Sequence, residues 1–245
     1  MNLNSPSWGE FFGTLVLITL GNGVVGGALL NRSKAQNAGW ISITAGWGLA
    51  VFAGVAVAIA LGDKDAHLNP AVTVASVMMT GDAWRLARYI PAQLLGAFTG
   101  AALVWMHYKP HWEATENADL KLACFCTSPA IRSLWWNFFS EALGTFVLIL
   151  VSTALFSRRI APGGLAPGLG PVLLAGLVWS IGLSLGGSTG YAINPARDLA
   201  PRIAHSVLPI AGKKSSEWGY AWVPVLGPVA GAVVAALFIR AFRIV

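Results

Sequence analysis

Charge is scarce in this sequence. Asp, Glu, Lys and Arg make up only 11% of its 245 residues, whereas a water-soluble domain carries about 25%. So few charges cannot cover a water-facing surface, which excludes an ordinary soluble globular domain. The Lys and Arg behind the net charge of +6 lie scattered between apolar runs. They form no basic stripe with interleaved aromatics, so nucleic acid is not expected as a partner. Cysteine is as sparse: Cys124 and Cys126 are the only two. They stand too close for an easy mutual disulfide and are too few for a structural zinc site, so they read as free thiols in a loop. The sequence holds no His-Glu-x-x-His, no Gly-x-Ser-x-Gly and no pair of catalytic acids, so neither an enzyme nor a bound metal or cofactor is expected. The start of the chain lacks the basic flank of a secretory signal, and the first apolar run reads as a retained span.

Apolar residues are abundant, at 56% with a mean hydropathy of +0.65. Runs of about 20 residues, each long enough to cross a bilayer core, fall near Phe11–Leu30, Ile41–Leu61, Ala87–His107, Trp136–Phe156, Gly168–Leu185 and Ala221–Arg240. Backbone groups in lipid must be satisfied within their own segment, so these spans are expected to be helices. Two more apolar pieces, Ala71–Met79 and Ala196–Val207, are too short to cross and read as re-entrant half-helices, which survive at membrane depth only when buried in protein or lining a polar cavity. Tyr108–Ser133 reads as a long charged loop. The whole chain, 1–245, reads as a single transmembrane channel domain without a flexible linker.

The two halves repeat each other. Glu10-Phe11-Phe12-Gly13-Thr14 near the first span returns as Glu141-Ala142-Leu143-Gly144-Thr145 near the fourth, and Asn69-Pro70-Ala71 returns as Asn194-Pro195-Ala196. Glu and Asn are separated by 59 residues in the first half and 53 in the second. The same motifs in the same order indicate a duplicated unit, about 7–107 and 136–240. Each unit holds three spans, so the second starts on the opposite side of the membrane and the halves are inverted. Inverted repeats with broken helices place a solute site near the midplane.

Asn-Pro-Ala suits a helix start. The Asn oxygen accepts from free backbone N–H groups, and Pro at the first helical position gives up an N–H that would be unpaired anyway. The Asn NH₂ then remains to donate to a permeating oxygen. Inversion points the partly positive ends of the two half-helices at each other.

His67-Leu68-Asn69-Pro70-Ala71-Val72 and Gly190-Tyr191-Ala192-Ile193-Asn194-Pro195-Ala196-Arg197-Asp198 resemble the paired signature loops of the major intrinsic protein (aquaporin) family. Ala92-Gln93-Leu94-Leu95-Gly96-Ala97, Glu10 and Glu141 resemble its helix motifs, and the likeness covers essentially the whole chain. It implies an all-α membrane fold of six transmembrane helices and two re-entrant half-helices. Asp198 after Arg197 resembles the glycerol-facilitator branch. The resemblance further implies a homotetramer with one pore per subunit, in a cell membrane, with both termini cytoplasmic. Distribution of Lys and Arg does not decide that orientation. Exclusion of cations and protons by half-helix dipoles and a fixed Arg is a general property of such pores rather than a deduction from this chain.

By the same resemblance the narrowest ring consists of Trp47, Gly182, Tyr191 and Arg197, with Gly182 leaving a wider opening than the His of water-selective members. Two aromatics make an apolar corner for a carbon backbone, and the Arg197 fork suits hydroxyl or carbonyl oxygens. Tyr191 replaces the usual Phe, so its phenol either narrows the ring or turns away. The stretch from Trp47 to Asn69 is also longer than the family pattern, with the extra residues in Gly62–Asp65. Alternatives stand beside each role. Trp47 also suits an interface anchor, Tyr191 plain packing, and Arg197 a side chain snorkelling to the interface. Asp198 suits a structural acid near a helix N-terminus. Glu10 and Glu141 read either as proton-relay acids or as buried acceptors holding the loops, the role the resemblance implies. His67 reads as pore-lining or loop-packing. The function implied is passive diffusion of glycerol and other small neutral solutes such as water, urea, dihydroxyacetone or undissociated lactic acid. A water-selective aquaporin is the alternative and a secondary transporter the remote one.

Overall fold

The computed structural model describes residues 5–244, and the regular structure among them is wholly helical. In chain order the helices are α1 (Pro6–Leu29), α2 (Gly39–Ala60), α3 (Pro70–Thr80), α4 (Trp84–His107), α5 (Lys109–Ala114), α6 (Ala118–Ala123), α7 (Leu134–Leu155), α8 (Leu169–Leu185), α9 (Pro195–Val207) and α10 (Val223–Ala241). Five of them (α1, α2, α4, α7 and α10) are long and apolar enough to cross a membrane. The sixth expected span, α8, has 17 residues, about 25 Å of helix. It starts after Gly168 in the left-handed conformation, and lies against α2.

Proline and caps set the helix starts. Ser5 caps α1, its Oγ accepting from Trp8 N, ahead of Pro6. Asn69 and Asn194 cap the short helices α3 and α9 in the same way, each followed by proline. Helix α3 stops at Gly81, whose φ of 80° carries the chain out of the helix toward α4.

The helices pair through small residues. Helix α1 packs on α2 and α4, and α7 on α8 and α10. Each half-helix also reaches across the repeat: α3 lies against α10, and α9 against α4. Much of the helix interface is small: Ala71, Ala75, Ala97, Ala101, Ala232, Ala235 and Ala236 are all at most 1% exposed. Many large apolar side chains face outward, among them Leu49, Leu95, Met106, Trp136, Phe139 and Leu237. An apolar exterior of this extent belongs in lipid, and the chain is an integral membrane protein.

The segment between α4 and α7 differs from the loop expected there. It folds into α5 and α6 and sends Trp112, Phe125, Cys124 and Cys126 into the core. Both cysteines are free, as expected, but buried. Burial pushes both thiols up.

Backbone contact between α1 and α4 yields a prediction. A Cβ added at Gly100 would lie 2.6 Å from the Leu15 carbonyl oxygen and 3.0 Å from Ile18 Cβ. Gly100→Val is expected to destabilise the fold by about 1–3 kcal/mol, the usual cost of overpacking. The readouts are a lowered thermal midpoint and aggregation on size exclusion in detergent. Leu103→Val, on the outward part of the same helix, serves as the control and is expected to behave like the native chain.

Candidate functional site

The two Asn-Pro-Ala turns meet inside the protein. Asn69 Oδ1 accepts from Ala71 N at 2.9 Å, and Asn194 Oδ1 accepts from Ala196 N at 3.0 Å and Arg197 N at 3.2 Å. Each amide then crosses to the other half. Asn69 Nδ2 donates to the Ile193 carbonyl and Asn194 Nδ2 to the Leu68 carbonyl, both at 2.8 Å. A carboxamide has two N–H groups, so the crossed bond takes one from each and leaves one to face the lumen.

The loops that lead into these turns are strained. Ala66, Leu68, Tyr191 and Ile193 all have positive φ, between 36° and 51°, a region unfavourable for residues with a Cβ and most so for a β-branched one. Buried carboxylates hold them there. Glu10 Oε1 accepts from His67 N at 2.7 Å, and its Oε2 from Leu68 N at 2.7 Å and Gln93 Nε2 at 2.8 Å. Glu141 accepts from Ala192 N at 3.0 Å and Ile193 N at 2.8 Å.

His67 is held against Thr73. The Thr73 hydroxyl donates to the Asn69 carbonyl at 3.2 Å and accepts from Gln93 Nε2 at 3.0 Å. With the hydroxyl proton on that carbonyl, His67 Nδ1, 3.1 Å away, is the donor to the Thr73 oxygen. A neutral His67 then carries a bare Nε2 acceptor, while its ring lines the cavity. His67 thus both packs the loop and lines the lumen.

That cavity has a volume of about 370 Å³ and runs from Arg197, Tyr191 and Trp47, past Asn69 and Asn194, to His67, Lys64 and Phe156. At its first end the Arg197 guanidinium lies over the Trp47 ring, 4.1 Å from the centroid. Arg197 is 7% exposed, and its Nη1 has no hydrogen-bond partner among the described residues. The guanidinium is stacked on the indole face, an attraction that strengthens where water is excluded.

Gly182 differs from expectation, and Tyr191 takes the turned-away alternative. Gly182 does not line this cavity, and a Cβ there would lie 2.8 Å from Tyr191 Cζ and 2.9 Å from Thr44 Cγ2. The space left by the missing side chain is filled by the phenol ring instead of widening the lumen. The Tyr191 hydroxyl is turned away against Gly182, buried and without a partner among the described residues. Trp40 completes this corner: its Nε1 donates to the Gly182 carbonyl at 3.0 Å and its ring meets Tyr191 edge to face.

Asp198 is a structural anchor. One oxygen accepts from both Thr127 N and Thr127 Oγ1 at 2.7 Å, and Arg202 Nε donates to the other at 2.8 Å. Arg202 continues to the carbonyls of Thr127, at 2.9 Å, and Ser216, at 2.7 Å. This fully buried pair ties α9, and with it Arg197, to the α6–α7 and α9–α10 connections. Sequence reasoning did not find Trp40, Thr73, Thr127 or Arg202 as contributors. Only Arg202, four residues after an acid on a helix, had a local signal. Among the described residues no group of three or more His, Cys, Asp or Glu forms a candidate metal site.

Comparison with known proteins agrees with this architecture. The family profile "Major intrinsic protein" matches residues 5–239. Glycerol uptake facilitator protein 3 of Lactiplantibacillus plantarum is 51% identical over 230 residues, 94% of this chain and 93% of that protein. A probable glycerol uptake facilitator protein of Thermotoga maritima is 50% identical over 93% of this chain and 94% of its own length. A D/L-lactic acid transporter of Lactiplantibacillus plantarum is 37% identical, covering 95% of each chain. The X-ray structure of the aquaglyceroporin from Plasmodium falciparum superposes with a TM-score of 0.82 at 31% identity, covering 96% of this chain and 94% of that one. By its sequence, its fold and these relatives, this chain belongs to the major intrinsic protein family.

Proposed function

We propose that the chain is a passive channel for glycerol and similar small neutral solutes, with Trp47, Tyr191 and Arg197 as its selective constriction. The observation that carries this reading is the buried Arg197 guanidinium over Trp47 at the head of a cavity lined by the two Asn-Pro-Ala turns. Free guanidinium N–H groups offer donors to a hydroxyl, and Trp47 with the Tyr191 ring offers carbon surface. Gly182 takes part by seating Tyr191. Along the lumen, the remaining N–H of Asn69 and Asn194 offers donors and His67 Nε2 an acceptor. A polyol hydroxyl both donates and accepts, so each step of its passage finds a partner. We further propose a homotetramer with a pore in each subunit and cytoplasmic termini, as the family likeness implies.

Stopped-flow light scattering on proteoliposomes tests the role of the constriction. Arg197→Val removes a charged donor worth about 1.5–3 kcal/mol, so the glycerol-to-water permeability ratio is expected to change by about 10- to 100-fold. A ratio equal to that of the native chain would remove Arg197 from the selective step. Fast water flux with negligible glycerol flux in the native protein would make it a water channel instead.

The relative named as a lactic acid transporter favours a second solute, undissociated lactic acid. A carboxylate anion loses much more on desolvation than the neutral acid, and Arg197 only partly offsets this. Lactic acid flux is therefore expected to fall as pH rises past the acid's own pKa. Uptake that follows the lactate anion concentration would contradict this.

Tyr191→Phe removes a buried hydroxyl that has no partner. Stability is expected to stay level or rise by up to about 1 kcal/mol, with glycerol flux unchanged. A clear loss of flux would mean that the hydroxyl reaches the solute.

A further inference from the structure

The two loop-holding glutamates have different surroundings. Glu141 receives its loop N–H groups with no second carboxyl group bonded to it among the described residues. Glu10 has one: Asp63, in the turn between α2 and α3. Asp63 is 0% exposed, a Cβ added at Gly9 would collide with its Cβ, and its carboxyl group lies beside the Glu10 carboxyl, near enough for the two to share a hydrogen bond once one of them carries a proton. Asp63 Oδ1 accepts from Asp65 N at 3.2 Å, whereas Oδ2 finds no donor among the described residues.

Among the described residues no cation is paired with either carboxyl group. Arg85 is committed to Asp65 at 2.9 Å, Asp82 at 3.2 Å and Ser76 Oγ at 2.9 Å. Lys64 is exposed at the cavity mouth. The ionisable groups facing the pair are Asp65 and His67 from the loop, and Arg85 and Tyr89 from α4. Helices α2 and α3 contain none. Two adjacent buried carboxyl groups cannot both ionise, so one retains a proton, and the pair titrates as a unit.

We propose that Asp63 and Glu10 form a binding site for a single proton, held between their carboxyl groups, and that this proton positions the first re-entrant loop. It supplies the donor that Asp63 Oδ2 lacks and keeps Glu10 aligned on His67 N and Leu68 N. Burial pushes the Asp63 carboxyl up, in the same sense. The direction of the pH effect follows. A folded-state affinity raised above the unfolded value makes the native state hold the proton longer, so stability falls as pH rises through the window between the two. Above that window two anions repel, and the strain reaches His67 and the link from Asn194 to Leu68. Asp63 is thus a positioning residue. The consequence for flux rests on the pore reading above; the proton itself does not.

Infrared spectra of the full-length protein in lipid vesicles, titrated from about pH 5.5 to about pH 9, test the site directly. The native protein is expected to show a protonated-carboxyl C=O band near neutral pH that disappears toward the alkaline end. That component is expected to be absent in Asp63→Asn, whose amide N–H donates where the proton sits. Glycerol flux and thermal midpoint are expected to fall with rising pH in the native chain, flux several-fold, and both to fall much less in Asp63→Asn. A native spectrum without such a band near neutral pH overturns the proposal, even if the variant fails to fold. A band unchanged in a folded Asp63→Asn also overturns it. The expected band in a protein that passes no glycerol supports the proton site and counts against the pore reading instead.

Discussion

Two carboxylates withdrawn from solvent, Glu10 and Glu141, hold backbone that would not otherwise stay at membrane depth. Each accepts consecutive loop N–H groups just before an Asn-Pro turn, where non-glycine residues sit in the left-handed region. Without those acceptors the loop amides would be orphaned in a medium with no water to satisfy them. With them, the turns sit where each Asn can cap its own helix and reach the opposite loop. The cavity lining, the placement of His67 and the position of Arg197 all follow from that arrangement.

Arg197 shows how a charged group is kept within an apolar fold. Arg197 reaches its place on the first turn of α9, and Asp198 beside it is fully engaged by Thr127 and Arg202. The acid is therefore spent on the scaffold and does not neutralise its neighbour. The guanidinium rests on the Trp47 face instead of on a carboxylate, so most of its donors remain uncommitted.

The spans and the half-helices were legible because their causes are local. Length of apolar run decides crossing, and Asn followed by Pro announces a helix start wherever it stands. The repeat could be read from Glu10, Glu141, Asn69 and Asn194 alone. Other features depend on partners distant in sequence. Whether the Tyr191 hydroxyl faced the lumen depended on the space beside Gly182 and on Trp40, which a sequence presents as ordinary membrane aromatics. Thr127 is 71 residues from Asp198, and no periodicity connects them. The segment holding α5 and α6 read as a charged loop because its polar residues conceal a few anchors, Trp112 and Phe125 among them, that take it into the core.

The crossed amide bonds also set an order of assembly. The Leu68 carbonyl is satisfied by a side chain 126 residues further along, and the Ile193 carbonyl by one 124 residues earlier. A ribosome has released the whole first half long before Asn194 exists. Until then the first turn lacks its partner, and the seat of α3 against α10 stands empty. The lumen can therefore close only after both halves have been synthesised and inserted, so each half acts as a template on which the other completes its fold.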